Sequence, residues 1–399
     1  MADVMRSARE SNEPKSKPNA PRKKQAETVR HQLRNFAPWL NRFGYSTFRK
    51  MISAVDSGNA AVASGALFVL MGALSRVSDD EDKEEMSNAL FARNPSNLDR
   101  LAKEMAKLSN DQASYKWNVV SALYVPCNRR LDDELVEKME DMYGVKIQLL
   151  ASEKNSAKAI EEINKYVREE SQKHLTEMVA PDKNVFKYAN SMVGTVGVYV
   201  HPWWETRFNR KTTKDGTFYE SEDTPICARA WSCEWWVSRV EPRVPASTYF
   251  MLPARRFYLS EVVTHLTGDR AASVIGYCRP RRVRLSVPKL HMSFNAELRG
   301  TLADLGVDSW LNTHHPAFGG IVSKGGAVSL GQLYHQVVLK MNEDGDEGET
   351  ESEWSEEAVE FECDQPFIVL FHHNVTNAVW MMAHVARPSA LGPMPATSE

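Results

Sequence analysis

The chain predicts an α+β fold, because segments with helical and with strand periodicity alternate along most of its 399 residues. Hydrophobic residues make up 42% of the sequence, which is enough to bury a sizeable core. Two apolar runs near the C-terminus, PFIVLFHHN and NAVWMMAHV, have the composition of buried strands. An acidic segment of about twenty residues precedes them, and loops of that length inside a compact domain are usually functional or disordered.

The first third of the chain predicts a long helix, a short strand and two further helices. Apolar residues recur at helical spacing over residues 29–55. Residues 60–74 predict a short strand followed by an apolar helix, and a helix of that composition must be buried on all sides. Residues 79–89 predict a capped, charged helix.

The middle of the chain continues the alternation of strands and helices. Residues 117–124 predict a strand, residues 131–143 a helix and residues 145–149 a second strand. Residues 156–178 predict one long amphipathic helix, with Ile160, Ile163, Val167 and Leu175 on its apolar face.

Charge and cysteine content limit the classes of partner and compartment. The net charge of -3 gives the chain as a whole no electrostatic attraction to nucleic acid or to a membrane surface. Five scattered cysteines, an odd number, indicate reduced thiols and not a disulfide framework. The N-terminus lacks the apolar core of a secretory signal, and the longest apolar run is too short to span a bilayer. We therefore expect an intracellular, monomeric protein of the cytoplasm or nucleus.

The two ends of the chain differ from its middle. Residues 1–28 are basic and poor in apolar residues, which predicts a disordered tail. The triplet Arg22-Lys23-Lys24 is either a weak nuclear-import or anion-binding patch or, as we favour, part of a solvated tail. Nucleic acid is not an expected partner, except through weak contact with this basic tail. Residues 29–390 are expected to form one domain, followed by a flexible tail over 391–399.

Four stretches, in order, resemble the serpin family. They are the segment 59–90, the motif Gly197-Val198-Tyr199 with Trp204 and Phe208, the segments 283–290 and 301–307, and the run from His335 to Gly345 with the paired segments 366–374 and 383–388. The resemblance covers about residues 40–390 and implies the serpin fold, with three β-sheets, eight or nine helices and an exposed reactive-centre loop over about 343–365. It also implies that the amphipathic helix lies across the front of the main sheet.

No enzymatic constellation is visible in the sequence. It contains no phosphate-binding glycine loop, no HExxH and no GxSxG. The adjacent pairs His314-His315 and His372-His373 would point to opposite faces of a strand, so neither pair can chelate a metal. We predict no catalytic residue, no cofactor and no metal.

The acidic loop carries the functional hypothesis. In inhibitory serpins the loop is cleaved, and its N-terminal half then inserts into the main sheet as a new central strand. Alternate residues of that half enter the core and must be small and uncharged. Asp346 stands at the first of these positions, where the family's inhibitors carry Thr or Ser, and burying an unpaired carboxylate is costly. The candidate hinge residues are Glu343, Gly345, Asp346, Gly348 and Thr350.

The region where the sheet would open also departs from the family pattern. The resemblance places Trp204 at the mouth of the main sheet and His335 in a polar cluster at its centre. Ala63, Ala66 and Val196 stand where the family has Ser, Ser and Asn. An apolar seam of this kind is expected to pack firmly and resist opening.

The position of a scissile bond is ambiguous. Counting forward from Glu343 places it after Val359, whereas counting back from Pro366 places it near Ser355. Neither position suits a trypsin-like protease, whereas an acid-preferring protease could in principle cleave after Glu356 or Glu357. The candidate residues are Trp354, Ser355, Glu356, Glu357, Ala358 and Val359.

Two functional hypotheses follow. The favoured one is a serpin-fold protein that has lost loop-insertion inhibition and binds a partner, with its acidic loop facing a basic protein surface. The alternative is a suicide-substrate inhibitor of an intracellular serine or cysteine protease. Neither hypothesis involves a membrane.

Overall fold

Six of the nine described helices lie within the first 170 residues, and the other three lie between residues 259 and 304. The computed structural model describes residues 20–55, 58–91, 95–109, 115–151, 155–204, 207–222, 225–236, 246–278, 282–344, 358–374, 376–388 and 390–392. These residues include nine α-helices: α1 (Ala20–Ser53), α2 (Ser64–Val77), α3 (Asp80–Ala89), α4 (Pro95–Ser109), α5 (Asp133–Tyr143), α6 (Ser156–Glu170), α7 (Leu259–His265), α8 (Gly268–Tyr277) and α9 (Arg299–Asp304). In α2 every residue except Arg76 is buried, which confirms the prediction from its apolar sequence.

The strands form three larger sheets and one two-stranded ribbon. They are β1 (Ala60–Val62), β2 (Tyr115–Val125), β3 (Arg130–Leu131), β4 (Val145–Leu149), β5 (Ser191–Pro202), β6 (Lys214–Tyr219), β7 (Pro225–Trp236), β8 (Ala246–Met251), β9 (Arg282–Pro288), β10 (Leu290–Glu297), β11 (Val322–Lys324), β12 (Ser329–Met341), β13 (Val359–Glu362), β14 (Phe367–His373), β15 (Ala378–Val385) and β16 (Ala390–Gly392). Helices and sheets in these numbers confirm the predicted α+β class with three sheets and eight or nine helices.

The main sheet has the strand order β10-β12-β5-β2-β4. Its two central strands, β12 and β5, are parallel and pair directly, from Ser329 opposite Ser191 to Leu339 opposite Val200. The pairs at the flanks, β10 with β12 and β5 with β2, are antiparallel. The seam between β12 and β5 is therefore closed along its length.

The second and third sheets are built largely from the C-terminal half of the chain. The second has the order β1-β15-β14-β8, and its edge strand β1 places Ala60 opposite His384. The third has the order β13-β9-β7-β16, with β6 also paired to β7. The ribbon joins β11 to β3.

Two hydrophobic clusters hold these layers together. The larger one includes α2, one face of the main sheet and the second sheet. The smaller one packs Ile160, Ile163 and Val167 of α6 against Tyr124 and Tyr334 on the other face of the main sheet. The amphipathic helix therefore does lie across the front of the main sheet, as the resemblance implied.

The prediction that this helix continues to residue 178 is wrong, because α6 ends at Glu170. Gln172 and Lys173 adopt the left-handed conformation, with φ of 53° and 67°, which stops the helix. The buried hydroxyl of Ser171 accepts a hydrogen bond of 3.0 Å from the amide of Leu175, so a compact turn replaces the helix. Leu175 remains in the cluster that α6 forms with the sheet.

The described secondary structure extends into both segments that the sequence assigns to tails, residues 1–28 and 391–399. Helix α1 begins at Ala20, whereas the sequence places the disordered tail over residues 1–28. Lys, Arg, Gln and Glu are good helix formers, so a basic, polar stretch can extend a helix whose later turns are packed. Strand β16 includes residues 391 and 392, which the sequence assigns to the C-terminal tail. Residues 1–19 and 393–399 lie outside the described residues, and the domain limits stay a prediction.

Candidate functional site at the mouth of the main sheet

The chain leaves the main sheet after Met341, and its next three residues are fixed against the segment that follows β5. The indole Nε1 of Trp204 donates to the carbonyl of Asn342 at 2.7 Å. The amide of Trp204 donates to the carbonyl of Asp344 at 3.1 Å, and the amide of Phe208 donates to the carbonyl of Glu343 at 3.0 Å. Trp204 is therefore in direct contact with the first residues of the predicted loop.

Glu343 is a buried carboxylate with a cationic partner. Its side chain is 3% exposed, and Lys289 Nζ lies 2.7 Å from its Oε1. The hydroxyl of Thr213 donates to the same oxygen. Burial raises the pKa of Glu343, but the hydrogen bonds from Lys289 and Thr213 hold that pKa below its ordinary value. Glu343 is therefore ionised and paired at neutral pH.

Asp344 forms a second ion pair beside the first. Arg210 Nη2 donates to its Oδ1 at 2.7 Å, and Asn342 Nδ2 donates to its Oδ2 at 2.8 Å. His201 Nε2 lies 3.0 Å from the side-chain oxygen of Asn342 and 3.8 Å from Asp344. Burial raises the pKa of Asp344, and the hydrogen bonds from Arg210 and Asn342 lower it by more. We call Glu343, Asp344, Lys289 and Arg210 the mouth clamp.

Sequence reasoning named Glu343 as a hinge residue but missed its partners. Lys289 and Arg210 lie on different elements, far from the loop in sequence. A signal was available for one of them, because the run RFNRKTTK over residues 207–214 follows Trp204 and carries four cations without a carboxylate. The predicted location of Trp204 next to the loop makes that run a candidate counter-charge.

The structure brings His335, Ala63 and Val196 together at the middle of the seam. The imidazole is fully buried, its Nδ1 lies 2.8 Å from the carbonyl oxygen of Val196, and the amide of Ala63 donates to its Nε2 at 3.0 Å. One ring nitrogen donates and the other accepts, which is the pattern of a neutral imidazole. Burial lowers the pKa of His335 to about 4, so the ring is uncharged at neutral pH. Ala66 is buried in the first turn of α2, three residues after Ala63.

The segment that follows α6 lies across the same seam. The side-chain Nδ2 of Asn295 on β10 donates to the backbone carbonyl of Glu177 at 2.8 Å. The side-chain Nε2 of Gln336 on β12 donates to the same carbonyl at 3.2 Å. On β5, a Cβ placed at Gly197 would lie 2.5 Å from Leu175 Cδ1. A strand entering between β12 and β5 would separate contacts that this segment makes on both sides, so the segment would have to move.

The remaining predicted loop residues divide into two groups. Gly345, Asp346, Gly348, Thr350 and the stretch 354–357 lie outside the described residues. Ala358 is half-buried, and Val359 begins β13, where it lies opposite Val283 of the parallel strand β9. The C-terminal end of the predicted loop, residues 359–362, is thus part of a sheet.

The described residues contain no cluster of metal-ligating side chains. Among them, no three His, Cys, Asp or Glu side chains are placed to hold a metal ion. None of the described helices is long and apolar enough to cross a membrane. His372 packs edge-on against Tyr249, and His373 stacks on Trp380, so the two neighbouring imidazoles contact different strands.

Comparison with known proteins gives one consistent result. The family model described as "Serpin (serine protease inhibitor)" matches residues 39–229 and 241–388. Human glia-derived nexin is 20% identical over 374 residues, covering 86% of this chain and 92% of its own. Serpin B10 of Rhinolophus ferrumequinum is 22% identical over 395 residues, covering 92% of this chain and 96% of its own.

A solved structure extends the likeness to three dimensions. The crystal structure of native protease nexin-1 with heparin superposes with a TM-score of 0.78, at 18% identity, and covers 89% of this chain and 100% of that chain. At this identity the likeness shows the fold alone, and the fold agrees with the one implied by the sequence motifs.

Proposed function

Because this chain belongs to the serpin family, we propose that it is a partner-binding serpin that does not inhibit proteases by loop insertion. The observation that carries the proposal is the buried centre of the seam between β12 and β5, because no Lys or Arg is among the described buried residues that could meet a carboxylate there. Its central polar side chain is the neutral His335, already hydrogen-bonded to Ala63 and Val196. At the mouth, Lys289 and Arg210 are paired with Glu343 and Asp344.

Asp346 is the residue that this environment would penalise. It is the first residue of the inserting half whose side chain would face the core, two positions beyond the clamped Asp344. Placing its carboxylate between β12 and β5 without a partner would cost several kcal/mol or force it to bind a proton. Insertion would also separate the segment that crosses the seam either from Asn295 and Gln336 or from Gly197 on β5. Both costs oppose the step on which inhibition depends.

The acidic loop is the part of the molecule that we propose to meet a partner. Eleven carboxylates and neither Lys nor Arg lie between Glu343 and Glu362. A basic protein surface is the complementary partner, and such contacts accelerate and orient association. We place the protein inside the cell, in keeping with Cys127, Cys278 and Cys363, which are thiols outside any disulfide. We propose no catalytic role for any residue.

The alternative function is a suicide-substrate inhibitor of a serine or cysteine protease, and the family description itself favours it. In that case the position of β13 limits the cleavage site. A bond presented to a protease must be free of sheet pairing, whereas Val359 is paired with Val283. Cleavage would then occur upstream of Val359, in agreement with the count that leads back from Pro366 to Ser355.

Loop cleavage followed by thermal unfolding separates the two functions. The loop is nicked with a non-target protease specific for glutamate, and the melting temperatures of intact and nicked protein are compared. We expect no rise after nicking. A large rise would mean that the loop had inserted, and the proposal would then be wrong. An SDS-stable adduct with a serine or cysteine protease would independently support the alternative.

A further inference from the structure

A second feature of the sheet mouth is a cavity of about 380 Å³ next to the mouth clamp. Its lining side chains come from the turn before β6, from β6 itself, from the link between β9 and β10, and from the end of β12. They are Arg210, Thr213, Lys214, Asp215, Lys289 and Glu343. A volume of this size lies in the range of small-ligand sites.

Two of the three cations that line the cavity are already in ion pairs, Lys289 with Glu343 and Arg210 with Asp344. Three cations and two carboxylates line it, and Arg210 also holds Asp344. Lys214 is exposed, as is Lys211, which precedes it by three residues and lies outside the lining; neither forms an ion pair among the described residues. A metal ion is disfavoured here, because three positive charges surround the space. An anion would gain directly from the unpaired Lys214, and from Lys289 only by displacing Glu343.

The donors fit a tetrahedral oxyanion. Lysine ammonium groups supply several hydrogen bonds without fixed direction, and arginine binds phosphate oxygens through a planar fork. The hydroxyl of Thr213 lies at the same wall and now donates to Glu343. An oxyanion that takes up Lys289 and Thr213 would therefore compete with the Glu343 carboxylate for its two partners.

We propose that this cavity binds a small multivalent oxyanion of the phosphate class, and that binding weakens the hold of the mouth clamp on the start of the acidic loop. Coupling of this kind is reciprocal, so release of Glu343 would in turn favour the anion. The inference does not rest on the proposed function, because the clamp is present whether or not the loop can insert.

The test uses the full chain at constant ionic strength, with chloride as the reference anion. Orthophosphate and a short phosphoserine peptide are titrated separately by calorimetry. We expect saturable binding of at least one of them, and the tighter one identifies whether the phosphate is free or carried by a peptide. Lys211→Ala with Lys214→Ala should weaken binding by about tenfold or more. The matched control removes two exposed lysines of α6, with Lys158→Ala and Lys165→Ala, and should bind like the parent.

Two further measurements test the link to the clamp. Glu343→Gln should bind the oxyanion several-fold more tightly, because a neutral amide competes less for Lys289. The same anion should accelerate loop cleavage by a glutamate-specific protease in the parent and not in the double-lysine variant. Failure of both anions to saturate, or equal loss in the α6 control, would overturn the site. If the anion binds, but binds Glu343→Gln no more tightly and does not accelerate loop cleavage, the proposed coupling is wrong.

Discussion

His335 joins the two central strands of the main sheet to the helix layer beneath them. Its Nδ1 lies 2.8 Å from the carbonyl oxygen of Val196, the residue directly opposite it on β5. Its Nε2 accepts the amide of Ala63, immediately before α2. One buried ring thus fastens β12, β5 and the start of α2 at a single point.

Replacing this ring should destabilise the whole domain. In His335→Leu the amide of Ala63 loses its acceptor in a fully buried site, which should cost about 1–3 kcal/mol of the free energy of unfolding. Urea denaturation measures the change. His315→Leu, at an exposed histidine, serves as the control and should change stability by less than about 0.5 kcal/mol. Equal effects of the two substitutions would contradict the assigned role.

The stability of the protein should fall as the medium becomes mildly acidic. Burial lowers the pKa of His335 and of His373 from the usual 6.5 to about 4. The unfolded chain therefore binds protons below pH 6.5 that the folded chain does not, so stability is complete above pH 6.5 and is lost progressively toward pH 4. Each ring should contribute a loss of up to about 3 kcal/mol.

Denaturation midpoints at pH 7.5, 6 and 5 check this expectation. His335→Gln and His373→Gln should each flatten the dependence in that interval, although both should also lower stability at pH 7.5. The pKa of Glu343 is held below its ordinary value, so the loss of its ion pair belongs to lower pH and should not affect this interval. A flat profile in the parent protein would rule out the histidine assignment.

The Glu343–Lys289 pair should show strong coupling in a double-mutant cycle. Lys289→Met leaves the buried carboxylate without its cation and should cost about 1–3 kcal/mol. Adding Glu343→Gln removes the unpaired charge, so the double variant should be more stable than the sum of the single changes predicts, by about 1 kcal/mol or more. The exposed pair Arg42–Asp269, with N–O distance 3.3 Å, is the matched control and should couple by less than about 0.5 kcal/mol.

A methyl group at Gly197 should dislodge the segment that crosses the seam. The added Cβ would lie 2.5 Å from Leu175 Cδ1 and 2.9 Å from Met178 Cε, closer than packed carbons approach. Gly197→Ala should cost about 1–3 kcal/mol and increase hydrogen exchange after α6. Gly276→Ala in α8 meets nothing within 4 Å and should be neutral or stabilising. Unchanged exchange in Gly197→Ala would show that the segment is not held by this contact.

Restoring a small neutral residue at the first inward-facing position should favour insertion. Asp346 lies outside the described residues, so this prediction rests on its place in the sequence. If its charge is the main barrier, nicked Asp346→Thr should melt at a higher temperature than intact Asp346→Thr, whereas the parent should show no such gain. A matched Glu347→Gln variant, altered at the outward-facing neighbour, should behave like the parent. If the parent, Asp346→Thr and Glu347→Gln all behave identically, the barrier to insertion is the apolar seam and not the charge of Asp346.

Local pattern was sufficient for much of the fold. Residues 145–149 alternate apolar and polar side chains, and β4 has those bounds. The apolar sequence of α2 predicts burial on all sides, and the structure has it. The end of α6 was missed because Gln172 and Lys173 adopt the left-handed conformation that usually signals glycine. No local rule identifies such residues.

The candidate site was less accessible to sequence reasoning, because its chemistry depends on distant parts of the chain. Glu343 is identified by its place before the loop, but its partner Lys289 precedes β10 and becomes visible only when β10 pairs with β12. Arg210 likewise reaches Asp344 only through the fold. The seam residues His335, Ala63 and Val196 were named from the family resemblance, and their contacts followed from the structure.

The pairing of β1 with β15 has a consequence during protein synthesis. Ala60 cannot meet His384 until all the residues between them have been translated, and β14 and β15, the inner strands of the second sheet, follow all nine described α-helices in the chain. The side of α2 that packs against β15 therefore stays uncovered in the nascent chain until β15 is made, a state open to aggregation and chaperone capture. A chain that stopped before β14 would not be a smaller working domain, because it would lack the two inner strands of the second sheet.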